Sequence, residues 1–497
     1  MYCTARRPMD GINLTAASSR GTTFLWCSTD ADKVEGSPIA IPAFHMRCIP
    51  LATLLCLCIL TIYLISDSSL SPSPLSTLYI FPPHHISRIY IETTKMPSFP
   101  PPPTPSIDWT NIGFKVRDVN YHIESTYDSQ TQTWSPPQLI KSPYLSIHGL
   151  SPALNYGQQA YEGLKAFRHA TTSSSNHENK ITIFRPTLNA TRLSHSSTLL
   201  SIPPIPTPIF LSAVNLAVAT NAEYVPPYTN PAVTGGGLSA LYIRPLVFGS
   251  SPQISLTPPE TFTFAVYVTP TGLYHGISAV DALILEEYDR TAPKGTGSAK
   301  AGGNYAPVQR HSMAAAKEGY GITLHLDSKT RSEVDEFSTS AFIGVKYGGG
   351  GDDEGNGVTL VQPDSDNVID SVTAASVLEI GEKMLGYQVE KRSVKYEEIR
   401  EFDEVIAAGT AAGLVPVRSI TMKSRGEKWG FEYGYGGGGK GEGGPVCRRL
   451  LGLLQGIQTG EVEDVFGWNW EVKEVEGMMG RENEGVGEGE ENGVNVP

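Results

Sequence analysis

The chain has 497 residues, 40% of them hydrophobic and 18% charged, with a formal net charge of -13. That is enough chain for two or three domains with buried cores. The acidic balance, without clustered Lys and Arg, excludes a groove for a nucleic-acid backbone and points to a small-molecule partner. Five of the six cysteines (Cys3, Cys27, Cys48, Cys56, Cys58) precede residue 59 and only Cys447 follows. A disulfide framework is thus excluded in the rest, and a reducing compartment fits, cytoplasmic or alternatively mitochondrial.

Ile49 to Ile65, "IPLATLLCLCILTIYLI", is an uncharged apolar run. It has the length of a short membrane anchor or of the apolar part of a signal sequence, and membrane contact is expected only if it is used as one. The Ser/Pro-rich "SDSSLSPSPLS" follows it, and Met96 offers a second start. Residues 1–106 therefore read as a poorly ordered extension, closed by a Pro-rich linker at Phe99 to Pro105. A first α/β domain is expected over 107–270. "PTPIFLSAVNLAVATNAEYV" has the spacing of an amphipathic helix, and "ALYIRPLVFG" and "TFTFAVYVTP" alternate as half-buried strands do. After an interdomain loop at 271–280, a larger domain over 281–474 is expected. It contains a helix in "NYAPVQRHSMAAAKEGY", strands in "GITLHLD" and "SAFIGVKYG", a helix in "AASVLEIGEKMLG", a strand in "YQVEKRSV" and a helix in "YEEIREF". "YGGGGDDEGNG" and "YGYGGGGKGEGG" lack the spacing of a phosphate loop and read as surface insertions, and the acidic tail 475–497 reads as disordered. The class is α/β (α+β).

The chemistry centres on "GTGSAKAGGNY", where Lys300 stands alone among small residues. An amine held in an apolar, glycine-lined site is pushed toward its neutral, nucleophilic form. A lysine in a surface loop satisfies this motif equally well.

Six segments in one order decide between the two: "YGQQAYEGLKAFR", "IFRPTLNATRL", "LYIRPLVFG", "KAGGNYAPV", "EFSTSAFIGV" and "AAGTAAGLVPV". Together they resemble the branched-chain amino acid aminotransferases, class IV enzymes of fold type IV that use pyridoxal 5'-phosphate, and the resemblance spans about Ile107 to Val472. It implies two α/β domains and transfer of an amino group from leucine, isoleucine or valine to 2-oxoglutarate. A transaminase of a specialised pathway, or a lyase of the same fold such as aminodeoxychorismate lyase, is the alternative.

By that resemblance Lys300 forms the Schiff base with the cofactor and shuttles the substrate proton. Glu336, with Asp335 as a competitor by charge, faces the pyridine nitrogen, and Tyr305 the phenolic oxygen. Arg192, the turn at Val372 and Thr373, and Thr410 bind the phosphate. Tyr156, Tyr161 and Tyr274 line the substrate pocket, while Tyr242, Arg244 and the amides of Ala411 and Ala412 bind carboxylates. A homodimer is implied, with Tyr156 on a loop that completes the partner's pocket. The sequence departs from the family pattern at Ala341, where asparagine is usual, at Asp370, where proline is usual, and at Tyr161, where phenylalanine is commoner. The first two touch the shell that positions the reacting groups, which puts substrate preference in doubt more than reaction type.

Overall fold

A computed structural model describes residues 99–169, 180–228, 238–272, 278–348, 357–431 and 443–475 in full, and before them the backbone of five strands. The apolar run 49–65, Tyr274, most of both glycine-rich stretches and the tail from 476 lie outside the described residues. The chain divides into two compact units, 1–98 and 99–497. In the first, Thr22–Thr29, Ile12–Ser19, Tyr2–Arg6, Ser87–Glu92 and Ser76–Ile80 lie in that order in one antiparallel sheet. No described helix is long and apolar enough to cross a membrane.

The second unit is built on two sheets. The first is antiparallel, with its long strands Ala240–Gly249 and Thr261–Thr271 paired along their whole length at the centre. Their alternating residues put Leu241, Ile243, Val247, Phe262, Phe264 and Val266 into one core. Helices Pro186–Leu199 and Thr207–Ala219 add Leu193, Phe210 and Val214 to it. An edge of this sheet comes from the far end of the chain: Asn469–Glu471 pairs with Ile181–Phe184.

The second sheet is mixed and buried on both faces. Its order runs Val334–Phe337, Ile322–Leu326, Val280–Ile284, Gly413–Met422, Glu404–Gly409, Ala341–Tyr347, Val358–Pro363, Gln388–Arg392. Helices Val372–Leu385 and Pro445–Thr459 share a core with Ile343, Val345 and Ile406, whereas Phe337, Phe342 and Val405 belong to another core with Tyr396, Ile399 and Phe402. Helix Val372–Leu385 has clean ends: Ser371 accepts from the Ala374 amide at its start, and Gly386 at φ 70° closes it. "YEEIREF", expected as a helix, is one over Tyr396–Glu401, of the 3-10 kind where the other helices of this domain are mostly α. The three-residue period explains the difference, because it aligns Tyr396, Ile399 and Phe402, all buried, on one side of a short segment.

The lysine loop is tied at both backbone groups, through its amide to helix Pro186–Leu199 and through its carbonyl to strand Gln159–Tyr161 of the first sheet. The Lys300 amide donates to Ser196 Oγ at 2.9 Å, and its carbonyl accepts from the Tyr161 amide at 3.0 Å. Two of the glycines around it serve close packing of protein on protein. A Cβ on Gly297 would lie 2.3 Å from the Asn367 carbonyl oxygen, and one on Gly302 2.4 Å from Gln159 Nε2.

Candidate active site

A cavity of about 270 Å³ is lined by Lys300, Tyr305, Glu336, Arg192 and Thr410, and also by Tyr161, Tyr242, Arg244 and Ala411. Lys300 Nζ donates to the Tyr305 hydroxyl at 3.0 Å and stands 4.9 Å from the ring centroid of Tyr161. The two rings meet edge to face, 5.4 Å apart. Burial raises the Tyr305 pKa, but the ammonium of Lys300 and the guanidinium of Arg290 outweigh it and bring it below the usual phenol value. Tyr161 is raised by burial and by Tyr305, which outweigh the opposing pull of Arg244. The two phenols of the site are thus shifted in opposite directions, Tyr305 down and Tyr161 up.

Behind Tyr305, Arg290 Nη1 donates to Glu336 Oε1, and both residues are buried. Burial pushes the Glu336 carboxyl up to about 7 against the pull of Arg290 and Lys300. Asp335, its neighbour on strand Val334–Phe337, instead accepts from Thr291 Oγ1 at 2.9 Å and is absent from the cavity wall. Strand alternation separates two adjacent acids in this way.

Arg192 meets Glu162, which is fully buried: Nε and Nη2 each donate to a carboxylate oxygen at 2.7 Å, and Nη1 donates to the Asp370 carbonyl at 2.7 Å. Three of the five N–H donors of a guanidinium are thus engaged, and the other two have no partner among the described residues. Asn189 Nδ2 adds a donor to Glu162 at 2.8 Å. The pair is tight enough that Arg192 offsets the burial of Glu162 and holds its carboxyl below the usual range.

Ser371 lines the same cavity, and Val372 lines an adjoining one of about 390 Å³ that shares Arg192 and Ser371. The amides of Val372 and Thr373 open a helix of 14 residues, where N–H groups lack intrahelical acceptors and favour an anion. The Thr373 side chain is buried in that first turn, away from both cavity walls.

On the other side, Arg244 Nη2 donates to the Tyr242 hydroxyl at 3.1 Å, two positions apart on one strand face. Its guanidinium carbon lies 5.0 Å from the Tyr161 centroid and 5.2 Å from that of Tyr242. The Tyr242 hydroxyl reaches the site because residue 163 is glycine: a Cβ there would sit 2.2 Å from it. Lys165 Nζ donates to the Ala411 carbonyl at 2.9 Å and fixes the turn that carries the Ala411 and Ala412 amides. Ala412 follows in that turn, outside the cavity wall. Tyr156 lies apart on the surface, at the end of the short helix Pro152–Tyr156, its hydroxyl donating to the Ile254 carbonyl. Glu162, Arg290, Ser371, Ser196 and Lys165 escaped the sequence reading. Glu162 sits in the quoted "YEG", whereas Arg290 carries no local signal.

The "Amino-transferase class IV" family profile matches residues 170–420. "Aminotransferase poxL" of Penicillium oxalicum is 50% identical over 370 residues, covering 74% of this chain and 94% of its own. "Transaminase htyB" of Aspergillus rugulosus is 48% identical over 396 residues, covering 78% and 98%. The branched-chain amino acid aminotransferase of Escherichia coli has a similar fold, with a TM-score of 0.55 at 24% identity over 72% of this chain and 100% of that one. The enzyme from Thermoproteus uzoniensis, solved with norvaline, follows at a TM-score of 0.53 and 23% identity, over 71% and 100%. With this fold, this lysine site and relatives at half identity over nearly their whole length, the chain belongs to the class IV aminotransferases.

Proposed function

We propose that the chain transfers an amino group between an apolar L-amino acid, the branched-chain set leucine, isoleucine and valine included, and 2-oxoglutarate. The observation that carries this reading is the Lys300 amine 3.0 Å from the Tyr305 hydroxyl, in a cavity that also presents Arg192 and Glu336. The cofactor is pyridoxal 5'-phosphate, and the donor set fits it: an amine for its aldehyde, a guanidinium with unused N–H groups and a helix start for its phosphate, a buried acid for its ring nitrogen. When bound, it supplies a conjugated ring that takes up the electron pair left on Cα.

The chain's own residues do the rest. Lys300 Nζ holds the cofactor and carries the proton removed from the substrate Cα. Glu336 keeps a proton at the ring nitrogen, and its raised pKa suits a group that shares one at neutral pH. Tyr305 donates to the phenolic oxygen. Arg192, the amides of Val372 and Thr373, and the Thr410 hydroxyl hold the phosphate. Tyr242, Arg244 and the amides of Ala411 and Ala412 orient carboxylates, while Tyr161 walls the side-chain space. Ala341, buried and on the cavity wall where the family carries asparagine, favours a second reading, a transaminase of shifted substrate.

The active form is a homodimer. Ile254 and Leu256 are 70% and 88% exposed beside the half-exposed Tyr156, an apolar patch that a second copy covers. Tyr156 then belongs to the partner's pocket. The test is the visible spectrum of the purified protein with cofactor. Borohydride fixes the cofactor to one peptide, and Lys300→Ala loses both the fixation and turnover. Fixation to another lysine, or an active monomer in sedimentation, contradicts the reading.

A further inference from the structure

Tyr242, Arg244 and Ala411 have a second side. They also line a separate cavity of about 460 Å³, so the lysine site and this larger space adjoin across these three residues. Its floor is the central pair of strands of the first sheet, with Tyr267, Val268 and Thr269. Its roof is the segment from Phe114 to Tyr121, which arches over the sheet and is pinned at intervals. Gly272 N donates to the Gly113 carbonyl at 2.7 Å, Arg117 N to Thr269 Oγ1 at 3.3 Å, and Asn120 N to Asn221 Oδ1 at 2.8 Å. Gly272 allows that approach, since a Cβ on it would fall 2.4 Å from the Ile112 methyl.

The polar groups of the wall divide: His122 is used internally, whereas the Tyr267 hydroxyl is buried without a partner among the described residues. His122 stacks on Tyr267 at 4.5 Å and spends both ring nitrogens, on the Ser142 carbonyl at 2.5 Å and on Glu124 at 2.8 Å. Most of what faces the space is ring and aliphatic surface, with Phe114, Val116 and Val119 on the roof beside Arg117 and Asp118.

We infer that this second cavity receives the outer part of a large apolar side chain, aromatic or long aliphatic, of the amino-acid substrate; the inference rests on the transaminase reading above. Its volume falls within the roughly 300–1,000 Å³ of pockets that enclose drug-sized ligands, far more than an isobutyl group fills. Arg244 at the junction sorts the two substrates. Its N–H edge stops the carboxylate of glutamate, whereas its flat face, already over Tyr161 and Tyr242, lets an apolar chain pass.

The test uses the holoenzyme with 2-oxoglutarate and a ladder of leucine, phenylalanine and 2-amino-4-phenylbutyrate. kcat/KM rises along the ladder by about tenfold or more, the scale on which added carbons are read by an apolar pocket. Val116→Trp, at a position 77% exposed and on the cavity roof, lowers the ratio of 2-amino-4-phenylbutyrate to leucine by about tenfold. As a readout without turnover, 4-phenylbutyrate competes more tightly than 4-methylpentanoate, and Val116→Trp erases that difference. Leucine equal to or better than the larger substrates, or a ratio indifferent to Val116→Trp, overturns the inference and leaves the transaminase reading standing. Absence of turnover with every amino acid overturns both.

Discussion

Glu162→Gln tests the buried centre of the site. The carboxylate is fully buried and takes two hydrogen bonds from Arg192 at 2.7 Å and one from Asn189 at 2.8 Å. Glutamine keeps the shape but sets an NH2 group against the guanidinium, so a donor meets a donor and Arg192 is left as a buried charge without its anion. Removing one partner of a buried pair costs about 3–5 kcal/mol, because the surviving charge keeps its desolvation penalty. Urea denaturation of the cofactor-free protein, compared at equal m-value, reads the loss directly. The pH dependence gives an independent check. Burial alone would raise the Glu162 pKa, but Arg192 holds it below its ordinary 4.5. A lowered carboxylate contributes stability that is present above 4.5 and lost as the pH falls through the folded value. The gap between wild type and variant therefore narrows in acid. Adding Arg192→Met to Glu162→Gln recovers part of the loss, since the unpaired charge is gone. A loss below about 1 kcal/mol, as for a solvent-screened pair, refutes the reasoning. So does a gap that stays constant into acid.

Glu336→Gln retains bound cofactor, read from the visible spectrum after dialysis, yet loses about 100-fold in kcat, since an amide shares no proton with the ring nitrogen. Unchanged turnover would remove Glu336 from that role. Arg244→Gln weakens glutamate and 2-oxoglutarate by about 1.5–3 kcal/mol, the worth of a hydrogen bond to a charged group, and leucine much less. Steady-state constants for both substrates decide, and equal loss would make Arg244 a structural residue of its strand. Gly297→Ala drives a methyl against the Asn367 carbonyl and the Thr291 side chain, 2.3 and 2.7 Å from the new Cβ. The resulting overpacking costs about 1–3 kcal/mol in denaturation and displaces the lysine loop, with kcat falling alongside.

What the sequence by itself determined is what local chemistry controls. Alternation marks Ala240–Gly249 and Thr261–Thr271 as strands, and the apolar spacing ahead of Gly386 marks a helix whose structure runs Val372–Leu385. Six motifs in register singled out Lys300, Tyr305, Glu336 and Arg192, which the fold brings to one cavity. Only the tertiary structure decided the pairings. Arg192 finds Glu162 from a distance of 30 positions, and Arg290 finds Glu336 from 46. Neither separation leaves a trace in a period of two or of 3.6 residues. The choice between Asp335 and Glu336 depends on which face of a strand looks into the cavity, a parity set by the strand's neighbours. The space beyond Arg244 exists because Phe114 to Tyr121 arches over a sheet whose floor strands lie more than a hundred residues on. Periodicity along a chain reports which face of an element is buried; the partner that buries it, and the hollow left between the two, are properties of the packed whole.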